Sequence, residues 1–161
     1  MKRFIVPVIF VVGGIVFCLW WYSPTQMIKR RTASLLGTLT MAAGDGKANR
    51  HMGAYSLNGL LAAQVELETP TIAEANGSFE REELESAFTW LCDQARQTRF
   101  EMEEFRGITI SGEKAQVKLS LTGLVELPTY KPADGKYDVT FDWVKEKDGW
   151  RLARAVWNES H

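Results

Sequence analysis

The chain has 161 residues, of which 45% are hydrophobic and 24% charged, the composition of a folded protein rather than a disordered one. Its net charge is −1, so it lacks the basic surplus needed to neutralise phosphates and no nucleic-acid partner is expected.

Phe4 to Tyr22 contain no charged side chain. A helix of that length measures roughly 28 Å at ~1.5 Å per residue, close to the hydrocarbon thickness of a bilayer. Trp20, Trp21 and Tyr22 fall where the chain would leave the hydrocarbon, as an aromatic belt does. The bulky exit sequence Leu19-Trp20-Trp21-Tyr22 offers no small-residue cleavage site. Val16 and Phe17 before Cys18 do not suit a lipid-attachment site. The segment is apolar all round, unlike an amphipathic core helix. Residues 1–24 are therefore expected to be a retained, single-pass signal anchor in an inner or plasma membrane. Lys2 and Arg3 lie closer to the span than Lys29, Arg30 and Arg31. The positive-inside rule then places the N-terminus in the cytoplasm and the domain outside, in the periplasm.

Residues 25–161 are expected to form one α+β domain: three N-terminal helices packed on a strongly curved antiparallel sheet. Ser23-Pro24-Thr25 breaks the span, and a first helix is expected over Gln26 to Ala43, closed by Gly44-Asp45-Gly46. A second is expected over Lys47 to Ala63. Val65 to Glu68 alternates as a short strand, Asn76-Gly77-Ser78 reads as a turn, and a third helix is expected over Glu80 to Arg99. Its apolar stripe is Leu84, Ala87, Phe88, Leu91 and Ala95, with acids early and Arg96 and Arg99 late, matching the helix dipole.

Strands follow over Phe100 to Ile110 and Ala115 to Leu127, then one carrying Tyr137, Val139, Phe141 and Trp143 on a single parity. Asp148-Gly149 turns into a last strand with Trp150, Leu152 and Val156 on one face and Ala153, Ala155 and Trp157 on the other.

This order resembles the nuclear transport factor 2-like superfamily, a cystatin-like cone of helices against a bent sheet. The residues carrying the resemblance are Gly44-Asp45-Gly46, Val65-Glu66-Leu67-Glu68-Thr69-Pro70 and the hairpin Phe141-Asp142-Trp143 … Lys147-Asp148-Gly149-Trp150-Arg151-Leu152. The whole chain is similar to membrane-anchored bacterial members of that superfamily, which as a group have no assigned activity. Its ketosteroid isomerases and polyketide cyclases use an acid just before a proline in the short strand. Here Thr69 precedes Pro70, and Glu68 is one residue off. The isomerases also use a first-helix tyrosine, and none occurs between Gln26 and Ala43.

Two functions compete. The first is a membrane-tethered, non-enzymatic binding or assembly domain, with a protein partner at the membrane or a second copy of itself. The second is an isomerase- or cyclase-like enzyme acting on a small apolar molecule, with Glu66, Glu68 and Tyr55 as catalytic candidates. Phe141, Trp143 and Trp157 are the candidate ligand-pocket residues, equally explicable as core. Glu66 and Glu68 read more readily as a solvated face opposite Val65 and Leu67. His51 reads as exposed, without a neighbouring acid. No cofactor and no metal site is expected: Cys18 and Cys92 are not clustered with histidine, and Asp138 and Asp142 lack a ligand-spaced loop.

Overall fold

The computed structural model describes residue 14, residues 17–69 and residues 75–160. Most of the expected membrane span, from Phe4 to Val16 apart from Gly14, lies outside the described residues, as does Pro70. Among the described residues no helix is long and apolar enough to cross a membrane.

Helix α1 covers Pro24–Leu39, opened by the Ser23 hydroxyl, which accepts from the Gln26 N–H at 3.4 Å, with Pro24 in the first turn where its missing N–H costs nothing. It stops short of Ala43 because Met41 leaves to pair with Thr98, through backbone bonds of 2.9 and 3.0 Å. Helix α2 covers Lys47–Asn58, and strand β1 covers Leu61–Glu68. Leu61 and Ala62, expected in the helix, are instead buried in the sheet, since an apolar run this short fits either period until a partner strand claims it. The expected Asn76-Gly77-Ser78 turn gives way at once to strand β2, Gly77–Glu80, which pairs with β1.

Helix α3 covers Arg81–Gln94 and opens with a capping box between Glu80 and Glu83. It ends five residues before the expected Arg99, because the chain from Gln97 onward is drawn into the next strand, Gln97–Ser111. Arg96 and Arg99 therefore do not serve its C-terminus. Arg50 of α2 does. Its guanidinium donates to the carbonyls of Cys92 at 3.3 Å, Ala95 at 2.6 Å, Arg96 at 2.8 Å and Ala42 at 3.0 Å.

Strands β3 (Gln97–Ser111), β4 (Lys114–Glu126), β5 (Ala133–Glu146) and β6 (Gly149–Glu159) complete one six-stranded sheet in the order β2-β1-β6-β5-β4-β3. The sheet is antiparallel except between its second and third strands, where β1 runs parallel to β6, a departure from the wholly antiparallel expectation. Gly112, at φ +61°, makes the tight β3–β4 turn in a conformation that a side chain disfavours.

Bulges reset strand parity. One between Phe105 and Gly107 and another between Met102 and Glu104 bring Glu103 and Arg106 onto the same outer face. A third places Asp142 opposite Arg154 but Trp143 opposite Leu152, leaving Ala153 as the extra residue. Strict alternation would separate Trp157 from Trp150 and Leu152. The bulge returns Ala155 and Trp157 to the inner face beside Phe141 and Val139, and turns Val156 outward.

The core lies between that inner face and the helices. Val117, Leu119, Leu121, Val139, Phe141 and Trp143 meet Ile28, Leu35, Leu36, Leu57 and Phe88, all buried. The three helices cover one face of the sheet, an α+β arrangement.

Candidate functional site

The helices and the inner sheet face do not close completely on each other. Between them is a cavity of about 290 Å³. Leu35 and Leu39 of α1, Leu57 of α2 and Leu84, Ala87, Phe88 and Leu91 of α3 form its helical side. Leu61, Val65 and Leu67 of β1, Phe141 of β5 and Leu152, Ala155 and Trp157 of β6 form the sheet side. Every one of these side chains is hydrocarbon except Trp157, whose indole N–H is the one polar side-chain group among them. Trp157 stands edge-on to Phe141, Tyr137 and Phe100, with ring centroids 6.3, 5.8 and 5.9 Å away, and is thereby held at the cavity wall.

The candidate residues separate. Phe141 and Trp157 line the cavity. Trp143 does not; it is wholly buried in the core, 0% exposed, and its indole N–H has no hydrogen-bond partner among the described residues. Tyr55 is 79% exposed on α2 and forms no part of the cavity wall.

Glu66 and Glu68 point to the sheet's other face, opposite Val65 and Leu67. There Arg154 of β6 binds both: its Nε lies 3.3 Å from Glu66, and its Nη2 donates to Glu68. Asp142 is 3.9 Å from the same guanidinium and accepts from Gln116 at 2.9 Å. The three carboxylates together hold the Arg154 guanidinium protonated, raising its pKa, Glu68 most strongly.

Further along this outer face, Asp138 accepts from the Ser120 hydroxyl at 2.7 Å and from Arg106 at 2.9 Å. Glu103 bridges Thr122 and Lys136. No group of three or more metal-ligating side chains close enough to hold a metal ion occurs among the described residues.

His51, read from sequence as lacking an acid, has one: its Nε2 is 3.0 Å from Asp93 across the α2–α3 contact. The two residues are 42 apart in sequence, so only the helix pairing shows it. The pair is solvent-exposed, 47% and 40%, and lies outside the cavity lining. The Cys92 thiol beside it is buried and donates to the Arg50 carbonyl at 3.4 Å. Burial pushes its pKa up, away from the thiolate a nucleophile requires.

Hydrogen bonds from His51, Thr122, Ser120 and Arg151 hold Asp93, Glu103, Asp138 and Asp148 respectively below the usual carboxylate range. Lowered folded-state pKa values stabilise the fold above the unfolded carboxyl range, and that stabilisation goes as pH falls through the folded values. The melting temperature of the full chain is therefore expected to be level from neutral pH to about pH 5 and to fall below about pH 4. A circular dichroism melting series checks this.

No family model matches the chain, and no curated protein does. Solved structures do. An uncharacterised protein with a cystatin-like fold from Caulobacter vibrioides superposes with a TM-score of 0.64 at 11% identity, over 85% of this chain and 89% of that one. A nuclear transport factor 2-like superfamily protein from Salmonella enterica gives 0.64 at 10% identity, over 86% and 92%. A protein named as a candidate dehydratase of the same family, from Streptomyces avermitilis, gives 0.63 at 12% identity, over 84% and 95%. Similarity at this level of identity speaks for the fold alone, and by it the chain has the nuclear transport factor 2-like, cystatin-like fold.

Proposed function

We propose that this chain is a non-enzymatic binding domain, tethered to a membrane by its N-terminal segment, whose cone cavity accepts an apolar group. The observation that carries the reading is the lining: the cavity wall holds no titratable side chain, and its one side-chain polar group is the Trp157 indole N–H, while Glu66 and Glu68 are held by Arg154 on the opposite face. Ligand sites for small molecules usually add a few convergent polar groups that fix orientation. A wall without a carboxylate, hydroxyl or amide side chain favours a hydrocarbon chain or ring and offers no acid or base to a reacting carbonyl.

General acid–base chemistry needs a titratable group within hydrogen-bond reach of the reacting atom. Moving Glu68 to the inner face would require a one-residue register slip, which would also expel Val65 and Leu67 from the core. Thr69, at the position that matches the enzymes' acid, has no carboxyl. A short tether, from Ser23 into α1, keeps the domain at the bilayer, where a membrane protein or lipid-derived chain would be the available partner.

The test uses the full chain purified from its membranes in native-lipid nanodiscs. Organic extraction and mass spectrometry should find an apolar compound that is depleted in an Ala87→Trp variant, whose bulk stands at the cavity's helical side. Glu66→Gln and Glu68→Gln should leave its amount unchanged. Steroid isomerisation that Glu68→Gln abolishes would instead establish the enzymatic reading.

A further inference from the structure

Where α1 meets the preceding aromatic residues, a second cleft opens, also about 290 Å³, lined by Tyr22, Met27, Arg30, Arg31 and Ser34. We propose that this cleft is a headgroup site for an anionic phospholipid. The proposal rests on the membrane tether proposed above, and four observations lead to it.

First, α1 contains Lys29, Arg30 and Arg31 and no acidic residue. Second, among the described residues neither Arg30 nor Arg31 makes an ion pair with a carboxylate. Their hydrogen bonds go to neutral carbonyls. Arg30 donates to Gln26 at 3.3 Å and to Trp21, and Arg31 donates to Gly59 at 3.2 Å. The carboxylate whose pKa Arg31 lowers, Asp148, is itself bonded to Arg151. Neither guanidinium is therefore paired with a carboxylate, although Arg31 stands close enough to the β5–β6 turn to act on Asp148.

Third, Arg30 reaches back past the start of its helix. Its guanidinium carbon stands 4.5 Å over the Trp21 ring while it binds the Trp21 carbonyl. Fourth, Trp20, Trp21 and Tyr22 are exposed, 54%, 41% and 69%. Tryptophan and tyrosine at the end of a span settle at headgroup depth. A guanidinium stacked on that tryptophan is held at the same depth, where the phosphates are. Arginine's planar fork matches a phosphodiester, and Tyr22 and Ser34 add hydroxyls on the same cleft. Lys29 points elsewhere, with its Nζ 4.9 Å over the Phe105 ring.

The full chain in nanodiscs of equal parts phosphatidylglycerol and phosphatidylcholine, released for native mass spectrometry, should retain phosphatidylglycerol preferentially. About fivefold enrichment per arginine is expected, the factor equivalent to about 1 kcal/mol at an anionic surface. Arg30→Gln and Arg31→Gln should each remove about that factor. Lys29→Gln, which deletes the same charge outside the cleft, should leave the preference intact. Equal retention of the two lipids, or an equal loss in Lys29→Gln, overturns the site. So does stoichiometric binding of inorganic phosphate to the chain in purely zwitterionic nanodiscs, lost in Arg30→Gln, which would assign the cleft to a free anion. Alkaline carbonate extraction separates the two levels of failure. A chain released from the membrane refutes the tether and the site together, and a chain that stays without lipid preference refutes the site alone.

Discussion

Replacing Trp143 with alanine is expected to remove about 3–5 kcal/mol of folding stability, the usual cost of deleting a large buried aromatic. Trp143 is 0% exposed and sits on the inner face of β5 opposite Leu152, so its loss leaves a void within the packed core. Trp143→Phe should cost less than half as much. It keeps most of the packed ring, and the indole N–H it discards has no partner among the described residues. Thermal melts of the full chain in nanodiscs would check both. Binding should survive in the fraction that remains folded, because Trp143 does not border the cavity. A Trp143→Phe variant that kept its stability and lost its ligand would return Trp143 to the pocket.

The second large effect is expected at Arg50. One guanidinium serves four backbone carbonyls from two places in the chain, the end of α3 and the loop after α1. Arg50→Ala leaves those acceptors without their donor and removes the cation that faces the α3 dipole. Hydrogen bonds from a charged donor contribute about 1.5–3 kcal/mol each when buried, and these are partly exposed and share one side chain, so a total loss of about 2–4 kcal/mol is expected. That corresponds to a fall in Tm of roughly 6–12 °C for a domain of this size. Arg50→Lys should recover less than half of it, since an ammonium cannot span the four oxygens at once. Full recovery by lysine would mean that charge alone matters and that the forked geometry does not.

Both residues illustrate what sequence patterns reveal and what they conceal. The single parity of Tyr137, Val139, Phe141 and Trp143 correctly marks one buried strand face, because period-two alternation is a local property. The stripe Leu84, Ala87, Phe88 and Leu91 likewise marks the side of α3 that lines the cavity. The opposition of Glu66 and Glu68 to Val65 and Leu67 follows from the same rule. Whether Trp143 or Trp157 borders an open space does not follow, since a void depends on how far the helices stand from the sheet.

Element ends depend on contacts that no local pattern carries. The α1 terminus is set by Met41 pairing with Thr98, 57 residues away. Leu61 and Ala62 become strand only because β6 lies beside them. The bulge at Ala153, which puts Trp157 on the cavity side, carries no glycine or proline to announce it. The pairing of His51 with Asp93 and the service of Arg50 to α3 are contacts between helices. No local spacing encodes either.

The central claim is that the cone cavity binds an apolar group without help from a carboxylate. Methyl NMR of the full chain in nanodiscs, titrated with a short n-alkane, tests it most directly, because each cavity methyl reports separately from probe dissolved in lipid. Saturating shifts are expected at Leu35, Val65, Leu84 and Leu152, with Val117, Leu119 and Leu121 of the packed core unmoved. These shifts should be unchanged in Glu66→Gln and Glu68→Gln and absent in Ala87→Trp. Unmoved cavity methyls at saturating alkane, or shifts that disappear when Glu68 is changed, would contradict the account.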